Sequence, residues 1–381
     1  MFNLFKKKPE QRSGDIISWQ AVGQEIQGQV SNPTYYESLS AVSACVDLIA
    51  SSLGSCPAYV FVQDYDSKYE DEADPIYKLI RKGANRYQTW HSFVEFLMRQ
   101  VLLRGNAIAQ VVYDQQGKVT ELQAYPFEWC SIDLLPSGKL RYTVTDNQGL
   151  YGAAGSRKII LQQDMLHIRD SGDLPYIGKS RISRAAQAFN AAMATQEFSA
   201  SLYKQGVRPS GALCVNNKLD ESARDSLKAD LKNYYSNTNA GSAMVLENGM
   251  QWHPYALNAE DAEVLASRQF SVEEIARLFS VPPPLIGDLR HGTFQNSETA
   301  GRWFASFCLA SWAHKLENEI TRVCLDDRHT LSIDLSGLTR GDHAGRWESY
   351  CKAVDAGILT RNEVRQIEGW NPLEDDGSEK L

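Results

Sequence analysis

Three consecutive prolines, Pro282, Pro283 and Pro284, constrain this chain more than any other feature. They follow a stretch, beginning near Asp261, in which Val264, Leu265, Val272, Ile275 and Leu278 recur at helical spacing. A proline lacks an amide donor and biases its predecessor toward extended geometry, so three in a row force the helix to end. The chain must leave the helix at Val281. After a loop containing Gly287 and Gly292, Asn296 or Ser297 is expected to cap another long helix. Its Phe304, Cys308, Trp312, Leu316, Ile320 and Val323 form one apolar stripe.

A second long helix is expected to precede the first of these. Ile182, Ala186, Phe189 and Met193 are in register from Ser180, and Gly206 offers a stop. At about 26 residues it would reach roughly 39 Å. Between the two, a strand at 212–215, an Asp220-capped helix to Tyr235, a polar loop at 236–241 and a strand at 243–246 make residues 207–257 a small α/β insertion.

Upstream, Leu39, Val42, Val46, Ile49 and Leu53 mark a helix that Gly54 is expected to stop. Alternating segments at 58–62, 107–113, 119–125 and 140–144 read as strands. Gln116-Gly117 and Ser137-Gly138 read as hairpin turns, and Phe93, Leu97 and Val101 as the stripe of a helix over 90–103. This portion is α+β with antiparallel pairing. At the far end, residues 342–355 are helical and Gly357 stops them. Thr360 with Glu363 forms a capping box, and Gly369 and Pro372 close the second helix. The acidic tail with Glu374, Asp375, Asp376 and Glu379 reads as solvated.

Bulk properties exclude several classes. With 381 residues, 43% hydrophobic and 23% charged, the chain has the composition of a folded protein of two or more packed subregions. A net charge of −8 argues against tight nucleic-acid binding, which relies on displacing phosphate counterions. The seven cysteines are scattered without a CxxC pair and read as reduced, buried thiols. Lys6, Lys7 and Lys8 precede no apolar segment or cleavage site, so a frayed basic head is expected rather than a secretory signal. No apolar run has the roughly 18 residues of a membrane span. A soluble, reducing compartment fits.

Catalytic constellations are scarce. Gly172 to Ser180 follows an apparent strand at 165–169 and precedes a helix, as a phosphate loop does, and ends in Gly178-Lys179-Ser180. Five residues rather than four separate its glycines, and Pro175 removes an amide that would face the anion, so it reads as a loop entering the helix with Ser180 as cap. The seven histidines form no HExxH or zinc spacing, and no GxSxG elbow occurs. Glu273-Glu274 and Asp326-Asp327 read as solvated pairs. Trp303, Phe304, Phe307 and Trp312 could stack bases, but the shared face of 304, 308 and 312 favours packing. No enzyme, cofactor or metal is expected. The runner-up is a nucleotide-dependent DNA-processing enzyme with a degenerate phosphate loop at Gly172 to Ser180.

The order of elements, with the words that follow, resembles the tailed-phage portal proteins of the HK97 type. Residues 41–50, Ala-Val-Ser-Ala-Cys-Val-Asp-Leu-Ile-Ala, with Pro57 after them resemble the family's first helix and strand entry. Leu103-Arg104-Gly105-Asn106-Ala107 matches its GNA strand start, and Leu166-His167-Ile168 with Gly178-Lys179-Ser180 its approach to the stem. Phe279-Ser280-Val281-Pro282-Pro283 resembles FxVPP, and Phe294-Gln295-Asn296-Ser297-Glu298 resembles YxNxE with Phe in place of Tyr. The run from Gly357 to Arg365 resembles GxxTxNEVR.

The resemblance implies a portal fold: a flexible arm at 1–30, an α+β wing at 31–175 and 299–335, and stem helices at 176–206 and 258–280. It also implies a small α/β clip at 207–257, a tunnel loop at 281–298, and a helical crown with acidic tail at 336–381. A homo-oligomeric ring of roughly twelve copies would enclose a channel for double-stranded DNA. Leu285, Ile286, Leu289, Arg290 and His291 would face that DNA. Lys218, Asp220, Lys228 and Lys232 would face the large terminase subunit and the head-tail adaptor, and the major capsid protein would surround the ring. At −8 per copy the ring would carry about −96, so DNA would slide rather than stick. Replacing Pro282 to Pro284 by alanine would extend the helix and impair packaging. The place of action would be the capsid vertex of a virion, after assembly in host cytoplasm, with no membrane partner.

Overall fold

The computed structural model describes residues 33–64, 67–204, 211–214, 220, 225–226, 251–254, 271–288, 294–339, 343–368, 370–371 and 373. After a turn of helix, α1 (Pro33–Glu37), helix α2 (Ser40–Ser55) buries Val42, Val46, Ile49 and Leu53, as the spacing predicts. Gly54 does not stop it. The helix continues to Ser55, and Gly54 is a contact point: a Cβ there would meet the His91 side chain and carbonyl at 3.0 Å. Helix α3 (Pro75–Lys82) starts at Asp74, whose carboxylate accepts from the Ile76 amide. Thr89 caps α4 (Trp90–Arg104), which packs against α2 and ends at Gly105 with φ 78°, a left-handed conformation that glycine adopts without steric cost.

Among the described residues all strand pairing is antiparallel. Strand β1 (Ala58–Asp64) lies between β2 (Ser67–Glu70) and a strand from far along the chain. Strand β3 (Asn106–Tyr113) lies between β4 (Val119–Tyr125) and a strand that returns later. The third sheet is β5 (Cys130–Leu134), β6 (Leu140–Asp146) and β7 (Ser156–Leu161), after which β8 (Met165–Arg169) completes the second. The β3/β4 and β5/β6 hairpins turn at Gly117 and Gly138, both with φ 78°. Strand β3 is buried on both faces: Ala107, Ala109 and Val111 join the main core under α2 and α4. Ile108 points into a second core with Tyr125, Tyr142 and Met165.

The expected unbroken helix from Ser180 is interrupted. It comprises α5 (Arg181–Arg184) and α6 (Ala186–Lys204), because Ala185 leaves helical geometry at φ −118°, ψ 34°. Strands β9 (Gly211–Cys214) and β10 (Gln251–Pro254) pair with each other, so the two ends of the insertion meet. The expected Asp220 helix is described only at 225–226. The loop at 236–241, the strand at 243–246, the first part of the helix from Asp261, the arm at 1–30, Gly369, Pro372 and the acidic tail lie outside the described residues.

Helix α7 covers residues 271–279. The next helix, α8 (Phe294–Trp303), starts before Asn296 and Ser297, which lie inside it rather than capping it. It widens into π turns over Phe304–Leu309 and continues as α9 (Ala310–Cys324). Phe304, Cys308, Trp312, Leu316 and Ile320 are buried while Trp303 and Phe307 are exposed, so the stripe packs inward and the other two aromatics face out. Strand β11 (His329–Ile333) closes the first sheet against β1, with Val60 opposite Leu331. Helices α10 (Ser336–Thr339), α11 (His343–Asp355) and α12 (Arg361–Ile367) follow, the last opening with the predicted capping box of Thr360 and Glu363. Among the described residues no helix is long and apolar enough to cross a membrane.

Candidate functional site

Three short stretches far apart in sequence meet where the sheets give way to the long helices. Asn106 is 2% exposed and brackets Gly178, accepting from its amide and donating to its carbonyl, each at 2.8 Å. The same Oδ1 lies 3.0 Å from Nε2 of His167. Since that oxygen can only accept, Nε2 carries the proton, leaving Nδ1 to accept from the Tyr142 hydroxyl at 3.0 Å. Burial, aided by Arg169 and Arg322, pushes the His167 pKa down to about 3, so the ring is neutral. Glu319 of α9 accepts from the His167 amide at 2.8 Å and holds Arg322 at 2.7 Å. Ser180 caps α5 by accepting from the Ile182 amide and donates to the Leu103 carbonyl at 2.7 Å. Backbone meets backbone here: a Cβ on Gly105 would sit 2.5 Å from the Ser180 nitrogen.

Beside this knot lies Asp170, its side chain 2% exposed. Arg181 and Arg184 reach its Oδ2 at 3.0 and 2.8 Å, and Lys315 of α9 stands 3.8 Å from Oδ1. Two arginines in the first turns of a helix oppose its dipole, so a carboxylate is needed there. That imbalance was the available sequence signal for Asp170, Arg181 and Arg184, while Lys315 carried none, and sequence reasoning singled out none of the four. Arg181 also donates to the Leu278 carbonyl at 3.1 Å, tying α5 to the end of α7, and its guanidinium stacks over Trp312 and Phe279. Desolvation lowers the Lys315 pKa, with Asp170 opposing the shift. Asp170, Arg181, Arg184, Ala185, Leu278 and Ser280 line a cavity of about 250 Å³.

The helix exit differs in detail from the sequence reading. Helix α7 ends at Phe279, before the prolines, because Ser280 adopts φ 59°. Its amide bonds the Arg277 carbonyl at 3.0 Å and the Val281 amide bonds the Ala276 carbonyl at 2.9 Å, a Schellman closure. Pro282 flanks and Pro283 opens a short 3-10 turn, Pro283–Ile286, which also contains Pro284. Leu285 and Ile286 are half-buried against the main core. Leu289, Arg290 and His291 lie outside the described residues, as do Lys218, Lys228 and Lys232, and Asp220 is exposed.

The phosphate-loop lookalike is occupied by its own fold. The Gly178 amide serves Asn106, the Lys179 amide points to the Ser171 carbonyl at 3.4 Å, and the Lys179 ammonium pairs with Asp173 at 3.2 Å. Asp71, Asp74 and His329 are near enough to share a cation, with ligand atoms within 4.8 Å of one another. Their bonding is internal: His329 engages Asp326 and Asp71 through its two nitrogens, and Asp74 caps α3. This is a clamp joining β11 to the start of α3.

A family profile described as phage portal protein matches residues 40–369. The portal protein of Enterobacteria phage HK97 is 28% identical over 345 residues, covering 88% of this chain and 79% of that one. A crystal structure of an HK97-family phage portal protein from Corynebacterium diphtheriae superposes with TM-score 0.58 at 14% identity, covering 82% of this chain and 98% of the other. A subunit in the neck of a native gene transfer agent particle, computed with C12 symmetry, gives TM-score 0.56 at 22% identity, covering 93% and 94%.

Proposed function

This chain belongs to the phage portal protein family, connectors between head and tail, and from that premise we propose that roughly twelve copies close into a ring around a channel for double-stranded DNA. The family match across residues 40–369, which includes both long helices, the insertion and the C-terminal helices, carries this reading. The twelvefold neck of the gene transfer agent supports the copy number.

In this ring the segment at 281–298 is the tunnel loop. Leu285 and Ile286 anchor it to the core, and Leu289, Arg290 and His291 are the side chains offered to DNA. With few cations there and −8 per copy, contact is weak and permits sliding. The insertion at 207–257, with Lys218, Asp220, Lys228 and Lys232, faces the large terminase subunit and later the head-tail adaptor. The major capsid protein surrounds the ring at one vertex of the virion, after assembly in host cytoplasm. The knot around Asn106 and the Asp170 clamp hold the stem helices to the wing, and motor force comes from the partner ATPase.

Negative-stain imaging of the purified chain tests this. Rings with an axial hole are expected, and a compact single-copy particle under every assembly condition would overturn it. Titration with labelled ATP is expected to give no binding. Gel shifts showing submicromolar, multi-cation DNA binding by the isolated ring would refute the electrostatic account of sliding.

A further inference from the structure

Where α5 meets the end of α7, the cavity of about 250 Å³ has Asp170, Ser171, Arg181, Arg184, Leu278 and Ser280 in its lining. One water needs about 10–15 Å³ of such space, so there is room for a small solute and its hydration. Arg181 and Arg184, three positions apart, share a helix face and each give one donor to Oδ2 of Asp170. Arg181 is further engaged by the Leu278 carbonyl and the Trp312 ring. Arg184 is not. Nη2 is its one bonded nitrogen among the described residues, and its side chain is 38% exposed. The hydroxyls of Ser171 and Ser280 have no partner among the described residues either.

The excess of donors is also an excess of positive charge. Two guanidiniums line the space against one carboxylate, and the Lys315 ammonium stands 3.8 Å from that carboxylate. Over all of residues 169–185 and 271–280, together with Lys315, six cations stand against four carboxylates. Lys315 registers the imbalance: desolvation lowers its pKa, and Arg181 and Arg184 push it the same way against the pull of Asp170. Like charges partly shielded from water are relieved by an anion, and a guanidinium fork beside two hydroxyls suits the oxygens of a tetrahedral one. No lining residue is aromatic, so a nucleoside base has nothing to stack on.

We propose that this cavity binds one compact oxyanion of the phosphate class, held chiefly by Arg184, with Arg181, Ser171 and Ser280 completing the cradle. Bound there, the ion links α5 to the turn after α7 and braces the junction of the two long helices. Every group in the cradle belongs to one copy, so the site stands whether or not rings form.

The probe is inorganic phosphate, titrated into the full chain against potassium chloride of equal ionic strength. A saturable rise in melting temperature is expected, about 2 °C at ten times the dissociation constant, and none with chloride. Arg184→Gln is expected to weaken phosphate at least tenfold and Ser171→Ala about threefold, while Asp170 keeps Arg181 and Lys315 in both variants. Should Arg184→Gln misfold, Ser171→Ala and the phosphorus NMR line width of phosphate over the unaltered chain still decide. A short DNA duplex at matched phosphate concentration is expected not to displace the ion. Displacement would make the occupant a phosphodiester of DNA and overturn the free-ion site. The proposal also falls if chloride stabilises as much as phosphate, or if Arg184→Gln binds phosphate as the parent does.

Discussion

The side chain of Asn106 grips the backbone of Gly178 from both sides, at 2.8 Å to the amide and 2.8 Å to the carbonyl. Alanine at 106 would strand that pair together with Nε2 of His167 in a buried place. Each lost partner costs about 1–3 kcal/mol, so Asn106→Ala is expected to lose at least about 3 kcal/mol, read from the urea midpoint. Asn106→Asp keeps the acceptor but buries a charge and sets its second oxygen against the Gly178 carbonyl, and is expected to lose at least as much at pH 7. An Ala variant as stable as the parent would show that the bracket contributes nothing.

Much of this arrangement was legible and some was not, for physical reasons. The buried stripes of α2, α4 and α9 follow local spacing, and the Gly117 and Gly138 turns and the Thr360 cap are set by residues within a few positions. The words around Asn106, His167 and Gly178 could be seen as a resemblance, but not their meeting, because hydrogen bonds across 61 and 72 residues leave no periodicity. Gly54 read as a stop since glycine's close approach to His91 depends on a helix that packs later. Ser280 was hidden for a different reason. Prolines announce a stop, whereas a serine at φ 59° does not.

That serine makes its own prediction. A non-glycine residue in the left-handed region carries strain of about 1 kcal/mol that glycine lacks. Glycine also adds about 0.4–1 kcal/mol of unfolded-chain entropy, so Ser280→Gly is expected to leave stability unchanged or raise it by at most about 0.6 kcal/mol. In the triple variant Pro282→Ala/Pro283→Ala/Pro284→Ala, amide exchange is expected to show α7 still ending at Phe279 as long as Ser280 keeps its closure. Protection spreading past residue 281 would return the stop to the prolines.

His329 should make stability fall with alkali. Burial disfavours its charge, but hydrogen bonds to Asp326 and Asp71 outweigh this and raise its pKa above 6.5. A raised pKa means that the folded state holds the proton more tightly. The stabilisation is complete below pH 6.5 and is lost as pH rises through the folded value. His329→Gln is expected to flatten the stability profile above pH 6.5, and an unaltered slope would exclude the clamp.

His167 acts in the opposite direction. Its pKa falls from 6.5 to about 3, so below pH 6.5 the unfolded chain takes up a proton that the folded chain refuses. Stability is complete above pH 6.5 and declines toward pH 3 by up to about 1.4 kcal/mol per pH unit. Acid titration of the melting temperature reads this, with His167→Gln expected to remove that share of the slope. A histidine NMR titration placing His167 near 6.5 would contradict the buried neutral ring.

Asp170 is the one carboxylate that Arg181, Arg184 and Lys315 share. Asp170→Asn keeps the shape and removes the charge, leaving Arg181, Arg184 and Lys315 without their shared counter-charge. Because Arg184 and Lys315 are each about a third exposed, water screens part of the loss, and about 1–3 kcal/mol is expected at pH 7. The pH dependence separates this from simple misfit. Lys315 is already lowered by desolvation, and Asp170 is what opposes that shift, so in the variant its folded pKa drops further. The unfolded chain then binds the proton more readily over a wider range, and stability must rise with pH toward 10.5 more steeply than in the parent. Lys315→Met placed on top of Asp170→Asn is expected to abolish the extra slope and recover part of the loss. Parallel profiles for parent and Asp170→Asn would mean that Asp170 holds the helix junction by shape alone.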